Sequence, residues 1–177
     1  MIRLLRFVGV LNAALWFGAA LFFTFWAGPA VFSKDMEGLL RTNYPYFSGA
    51  IAQIIIARYF QLQATCSIVA LLHLLAEWLY LGRSWEKLWL GLVLALISLN
   101  LAGGFWLQPR MKRLHAIKYD PHSRPADVQA AAESFRSWHG ASMMVNLIMI
   151  AGLGGYLWRA ANPSDPTRFV STSKFRG

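Results

Sequence analysis

Four apolar stretches, near residues 4–26, 59–81, 85–107 and 141–158, are each about as long as the roughly 20 residues a helix needs to cross a bilayer. Hydrocarbon gives the backbone no hydrogen-bond partner, so such segments close their own hydrogen bonds as helices. The chain reads as an all-α, multi-pass integral membrane protein, with a four-helix bundle over residues 1–160 and a polar tail over 161–177. Hydrophobic residues make up 56% of the 177 and charged residues 14%, which suits one small bundle. Trp26, Trp78, Trp85, Trp89, Trp106 and Trp158 fall at span ends, as interfacial aromatics do. The apolar run after Arg3 and Arg6 exceeds the roughly 7–15 residues of a signal-peptide core, so it reads as a retained first helix.

A net charge of +9 could suit nucleic acid, but here the basic residues flank spans. No nucleic-acid partner is therefore expected, and anionic lipid headgroups are, with Arg110, Lys112, Arg113 and Lys118 as the candidate contacts. The 17 Lys and Arg divide almost evenly between the two membrane faces. Arg3 and Arg6 on the first helix tip the orientation toward cytoplasmic termini, in what is expected to be a bacterial inner membrane.

In the first long loop, Phe47, Ala50, Ile51, Ile54, Ile55 and Arg58 recur at helical spacing. This amphipathic segment either lies in the interface or runs straight into the second span. In the second, Gln108-Pro109-Arg110 is expected to break the third helix and Asp120-Pro121 to turn, and residues 125–138 are helical in character. Asn162-Pro163 stops the last span, and the tail beyond has no pattern able to bury a core.

Polar residues inside spans are where function would show. A rise of about 1.5 Å per residue sorts them by depth into two groups. Nearer the long loops lie His139, Ser142, Gln63, Asn146 and Asn100, and the two asparagines are placed to meet. Nearer the other face lie Glu77, His73 and Asn12, also placed to meet. His73 and Glu77, at i and i+4, share a helix face and can pair, while Glu77 can instead reach up toward Arg83. Interhelical hydrogen bonding and a solute or ion path both remain open for these groups. Cys66 reads as a small buried hydrophobe.

No cofactor is predicted. Bis-histidine haem ligation by His73 and His139 fails, because their depths differ by roughly 20 Å along helices running the same way. His139 with His115 or His122 keeps a haem or metal alternative in view. No Walker loop, G-x-S-x-G, H-E-x-x-H or C-x-x-C occurs, so an enzyme is not the expected reading. Small residues pair at Gly9 and Ala13, Ala14 and Gly18, and Ala151 and Gly155, spacings that let helices approach within the bundle or against a neighbour. His139-Gly140, facing the Arg110–Lys118 loop, reads either as a helix-start and packing device or as a point of ligand or headgroup recognition.

The run from Phe135 through Arg136, Ser137, Trp138, His139, Gly140, Ser142, Met143 and Asn146 to Leu147, with Gly28-Pro29, Phe32 and Arg58-Tyr59-Phe60, resembles a known family. These are the small four-helix membrane proteins related to the eukaryotic transmembrane protein associated with cisplatin resistance. The resemblance runs through nearly the whole chain in order and implies the four-span architecture. More distantly the chain resembles four-helix copper-resistance and haem-linked membrane families, which supports the redox alternative. The reading that results is a non-enzymatic accessory, assembly or small-solute-handling component. Its rivals are a redox protein centred on His139 and a structural subunit, as a homo-oligomer or within a larger membrane complex.

Overall fold

The computed structural model describes residues 2–81 and 87–162; the turn near Gly82, Trp85, Arg83 and the tail past 162 lie outside them. Every regular element among the described residues is helical. Helix α1 (Ile2–Phe22) passes through a π turn (Phe23–Ala27) into the short α2 (Gly28–Val31). Next come α3 (Lys34–Leu40), a 3-10 turn (Arg41–Asn43) and the long α4 (Tyr44–Leu81). Helix α5 (Lys87–Ala102) likewise passes through a π turn (Gly103–Leu107) into α6 (Gln108–Tyr119), and α7 (Pro125–Ala161) ends the described fold. Four composite helices are long and apolar enough to cross a membrane.

Around the bundle the order is α1, α4, α5, α7, with α1 and α5 each packed between α4 and α7. The core holds Ala13, Trp16, Ala20, Cys66, Ala70, Val93, Leu96, Met149, Leu153 and Tyr156. Outside it the helices show Leu4, Phe7, Leu15, Ile68, Leu72, Phe105 and Ile148, an apolar surface that suits lipid. Trp26, Trp78, Trp106 and Trp158 point outward among these, as the belt pattern expects, whereas Trp16 is fully enclosed.

Two details depart from the sequence-based expectations, and another decides between alternatives the sequence left open. Gln108-Pro109 does not break the third helix. Each π turn closes with an i to i+5 bond, Gly28 N–H to Phe23 O and Gln108 N–H to Gly103 O, and each is followed at once by a proline. The widened turn moves aside the backbone that a proline ring would strike in a regular helix, so the chain continues in helical form through Pro29 and Pro109. Second, the amphipathic segment is the lead-in to the second span, because α4 runs unbroken for 38 residues. Its apolar stripe faces outward, with Phe47 and Ile54 exposed, and Ser48 and Gly49 form the buried side. Third, residues 125–138 and the last span are one 37-residue helix, so His139 sits in mid-helix and not at a helix start. Nothing between Trp138 and Ala141 breaks a helix, and Gly140 stands in open space with no neighbour within 4 Å of an added Cβ.

At about 1.5 Å per residue α4 is about 57 Å long, well beyond the roughly 30 Å of hydrocarbon. Its first third, α6 and the start of α7 therefore stand outside the bilayer on the long-loop side. There α3 begins at Ser33, whose Oγ accepts from Met36 N at 3.3 Å, and the turn at Asp120 is closed by its carboxylate accepting from His122 N and Ser123 Oγ.

The two hairpins repeat one another. Phe25, Trp26 and Pro29 recur as Phe105, Trp106 and Pro109, each set spanning a π turn and the helix after it. At the same offset, buried Ala13, Trp16, Ala20 and Val31 correspond to buried Val93, Leu96, Asn100 and Met111. On the second helices, Ser48, Cys66, Ala70 and His73 correspond at one offset to Ala131, Met149, Leu153 and Tyr156, again all buried. Helix α1 is thus equivalent to α5 and α4 to α7, which makes the packing order an approximate twofold arrangement.

Candidate functional site

A seam of polar side chains runs through this core. At the short-loop end, near the ends of their helices, Glu77 of α4 and Arg159 of α7 face each other. Both guanidinium Nη atoms reach Glu77 Oε2, at 3.3 and 3.2 Å, and the side chains are only 8% and 11% exposed. Three residues before Arg159, Tyr156 lies edge-on to the Trp16 ring with centroids 6.2 Å apart. Trp16 Nε1 donates to Gln63 Oε1, which ties α1 to α4 at the centre of the bundle. Ser67 Oγ donates to Gln63 O at 2.7 Å, and Asn12 Nδ2 donates to Cys66 O at 3.0 Å, adding a second tie between the same helices.

Toward the long-loop side the seam continues through α7. Tyr59 OH donates to Asn146 Oδ1 at 3.2 Å, Asn146 Nδ2 donates to Thr24 Oγ1 at 2.6 Å, and Thr24 Oγ1 donates to Ala20 O at 2.7 Å. Phe23 stacks on Tyr59 at 4.2 Å, fixing the ring that carries this hydroxyl. The π turn at 23–27 brings Thr24 to this junction.

Several expected residues find other partners. Asn146 joins Thr24 and Tyr59, not Asn100, while Asn100 stays buried with its Oδ1 unpartnered among the described residues. Asn12 meets a backbone carbonyl, not His73, and His73 turns to α1, where its Nε2 lies 3.0 Å from Leu5 O. Its i+4 neighbour Glu77 meets Arg159 across the bundle. Ser142 makes a local bond to His139 O at 2.7 Å, and the exposed His139 ring lies parallel to Phe135 at 6.1 Å. Asn146 and Gln63 belong to the seam; His139 and Ser142 do not.

The partners that sequence reasoning missed were Arg159, Trp16, Tyr59 and Thr24. Arg159 was legible by depth, since it stands near the end of α7 as Glu77 does near the end of α4. Trp16 was the one tryptophan well inside a span, and a buried indole N–H needs an acceptor.

Outside the bilayer, α6 presents Arg110, Lys112 and Arg113 at the surface. The Arg110 guanidinium lies 4.6 Å from the Trp138 ring, which meets Trp106 edge-on at 4.9 Å, and Lys118 Nζ lies 5.1 Å from the Tyr119 ring. His115 on the opposite side of α6 is buried against Gly49, where a Cβ would come 2.1 Å from its Nε2. Its ring also stacks on Tyr46 at 5.6 Å.

Among the described residues no three His, Cys, Asp or Glu side chains gather where a metal ion could be held. A haem centred on His139 does not fit these residues: His139 is exposed beside Phe135, whereas His115 is enclosed between Gly49 and Tyr46. Among the described residues the arrangement offers hydrogen bonds and the buried Glu77–Arg159 ion pair.

No curated protein and no solved structure matches the chain. A family model described as a domain of unknown function, DUF4149, matches residues 11–120, which take in most of α1, all of α4 and α5, and α6. With well over half its length inside that match, the chain belongs to the DUF4149 family.

Proposed function

We propose that this protein is a non-enzymatic membrane component that handles a small, hydrogen-bonding solute within the polar seam. The observation that supports this most is the set of unused polar atoms along it. Tyr156 OH, and Asn100 Oδ1 on the neighbouring α5, are buried with no partner among the described residues. An unsatisfied buried polar group costs about 1–3 kcal/mol, so a bundle needing only helix-to-helix ties would be more stable without them. Their net use is to hold a guest that supplies the missing donors and acceptors.

The experiment is reconstitution into vesicles, with urea and glycerol entry read by stopped-flow light scattering and proton entry by entrapped pyranine. At least one probe is expected to enter faster than in protein-free vesicles, and Gln63→Leu is expected to slow it. Entry equal to protein-free vesicles for all three would overturn the reading.

A second reading, an accessory subunit in a larger complex or a homo-oligomer, draws on Ala14 and Gly18, which face outward with nothing within 4 Å of an added Gly18 Cβ. Native mass measurement of the purified protein tests it: a monomer alone opposes it. Kinship with the cisplatin-resistance-associated family draws on the Phe135–Leu147 pattern in α7, which lies beyond the matched residues.

A further inference from the structure

Helix α6 carries four basic residues along its 12 and stands beyond the third span, packed on α4 and α7. The residues it buries are Met111 and His115, one turn apart, and His115 is only 8% exposed. The His115 ring enters a slot that position 49 leaves open: a Cβ on Gly49 would fall on Nε2, so only glycine lets α6 come this close to α4. Tyr46 stacks on the ring at 5.6 Å and Tyr119 meets it at 4.9 Å, which encloses it further. In this slot Nε2 has no hydrogen-bond partner among the described residues. The backbone hydrogen bond between the ring and Tyr46 therefore falls to Nδ1. Because that bond favours the charged ring, the imidazole is its donor. In the neutral ring the proton thus sits on Nδ1, and Nε2 is a bare acceptor against the Gly49 backbone.

We propose that His115 is an acid-sensitive latch, which holds α6 on α4 while its imidazole is neutral and releases α6 when a proton binds Nε2. A proton there turns a tolerated lone pair into a charged donor pressed on backbone, in a slot that gives it no partner. No neighbouring carboxylate is placed to offset the charge. On α6 itself, Lys118 has the same sign and opposes it. On α7, Asp127 is held by Arg124 at 2.8 Å and Glu133 accepts from Gln129 at 3.3 Å, while α4 presents the Tyr46 ring. Burial first, then Lys118, push the docked ring below its usual 6.5, against the opposing Tyr46 hydrogen bond. A released ring protonates near that 6.5, so docking is at full strength above it and weakens as pH falls toward the docked ring's lower value, about tenfold per pH unit. The π turn at Gly103–Leu107 directly precedes α6 and is where the helix can bend. Release carries Arg110, Lys112 and Arg113 with it, so pH sets where this basic face stands. The twofold-related positions hold Asp35 and Ala132, so the latch exists in one half only. It lies outside the bilayer and does not depend on the seam solute.

The test uses the full-length protein in nanodiscs on a Cys66→Ala background, with spin labels at Ile54→Cys of α4 and Lys112→Cys of α6, both exposed positions. The distance between them is measured by double electron–electron resonance at about pH 7.5 and about pH 5, on either side of the usual histidine range. A single short distance is expected at the higher pH, and a second, longer one at the lower. In the unlabelled protein the 15N resonances of His115 are followed over the same titration, and protonation is expected to share its midpoint with the opening. His115→Asn keeps a donor where Nδ1 stands but cannot titrate, and is expected to stay docked throughout. Gly49→Ala, whose Cβ expels the ring, is expected to be open at both pH values. His122→Asn changes an exposed histidine and is expected to leave the acid opening as it is. An unchanged distance in the parent, an opening that survives in His115→Asn, or an opening whose midpoint differs from that of His115 protonation would overturn the proposal.

Discussion

Replacing Glu77 with Gln removes the charge that Arg159 faces at 3.2 Å while both side chains remain about nine-tenths buried. At an effective dielectric of about 20, opposite charges at that distance attract by about 5 kcal/mol, and breaking a buried pair by removing one of its charges costs about 3–5 kcal/mol. For a chain of this size each kcal/mol lowers the melting point by roughly 2–4 °C, so Glu77→Gln is expected to melt roughly 6–20 °C earlier. The assay is built into the chain. Cys66 is the one cysteine and only 2% exposed, so a thiol-reactive fluorophore reports the opening of the core directly. The double variant Glu77→Leu with Arg159→Leu removes both charges and is expected to recover most of the loss, since apolar replacement of a buried pair is often close to neutral. A Glu77→Gln protein melting within about 1 °C of the parent would refute the reasoning. So would a double variant as unstable as the sum of its singles.

Trp16→Phe strands the Gln63 amide oxygen in the core and is expected to destabilise by about 1–3 kcal/mol, with Gln63→Leu on the same background restoring part of it in the Cys66 assay. Changing Arg110, Lys112 and Arg113 together to Gln removes about 1 kcal/mol of headgroup attraction per charge. Retention of anionic over zwitterionic lipid, read by native mass spectrometry, is expected to fall about 100-fold, and an unchanged ratio would count against α6 as the headgroup contact.

The spans and the all-helical class were legible because lipid leaves so few choices: length, apolarity and tryptophan placement carry them. Side-chain partners were harder to read, because depth along an axis fixes one coordinate and rotation about it is left free. Asn100 and Asn146 share a depth, but the rotation of α7 turns Asn146 to Tyr59 and Thr24. Pro109 misled for a related reason. A proline rule written for regular helices takes no account of the π turn that precedes it, although the repeated Phe-Trp-x-x-Pro pattern at 25–29 and 105–109 was a visible sign that one device served both places. Arg159 reads in the sequence as a flank, because a basic residue at a span end usually is one.

The repeat also shows where buried polar groups gather. Two near-equivalent hairpins give a scaffold whose buried positions match, so differences between paired positions mark what packing alone does not require. Trp16 pairs with Leu96, Asn12 with Leu92, His73 with Tyr156 and Glu77 with Ala160, and the more polar or hydrogen-bonding member usually sits in the first hairpin. Gln63 and Asn146 break the trend by being amides in both halves, and each is the hub of its own level of the seam. A core selected only for stability would have no reason to load one half with indole and carboxylate while the other half fills the same two places with leucine and alanine. The reverse holds for Ala20 and Asn100, so α5 contributes one buried polar group to a core whose other polar members come mainly from α1 and α4.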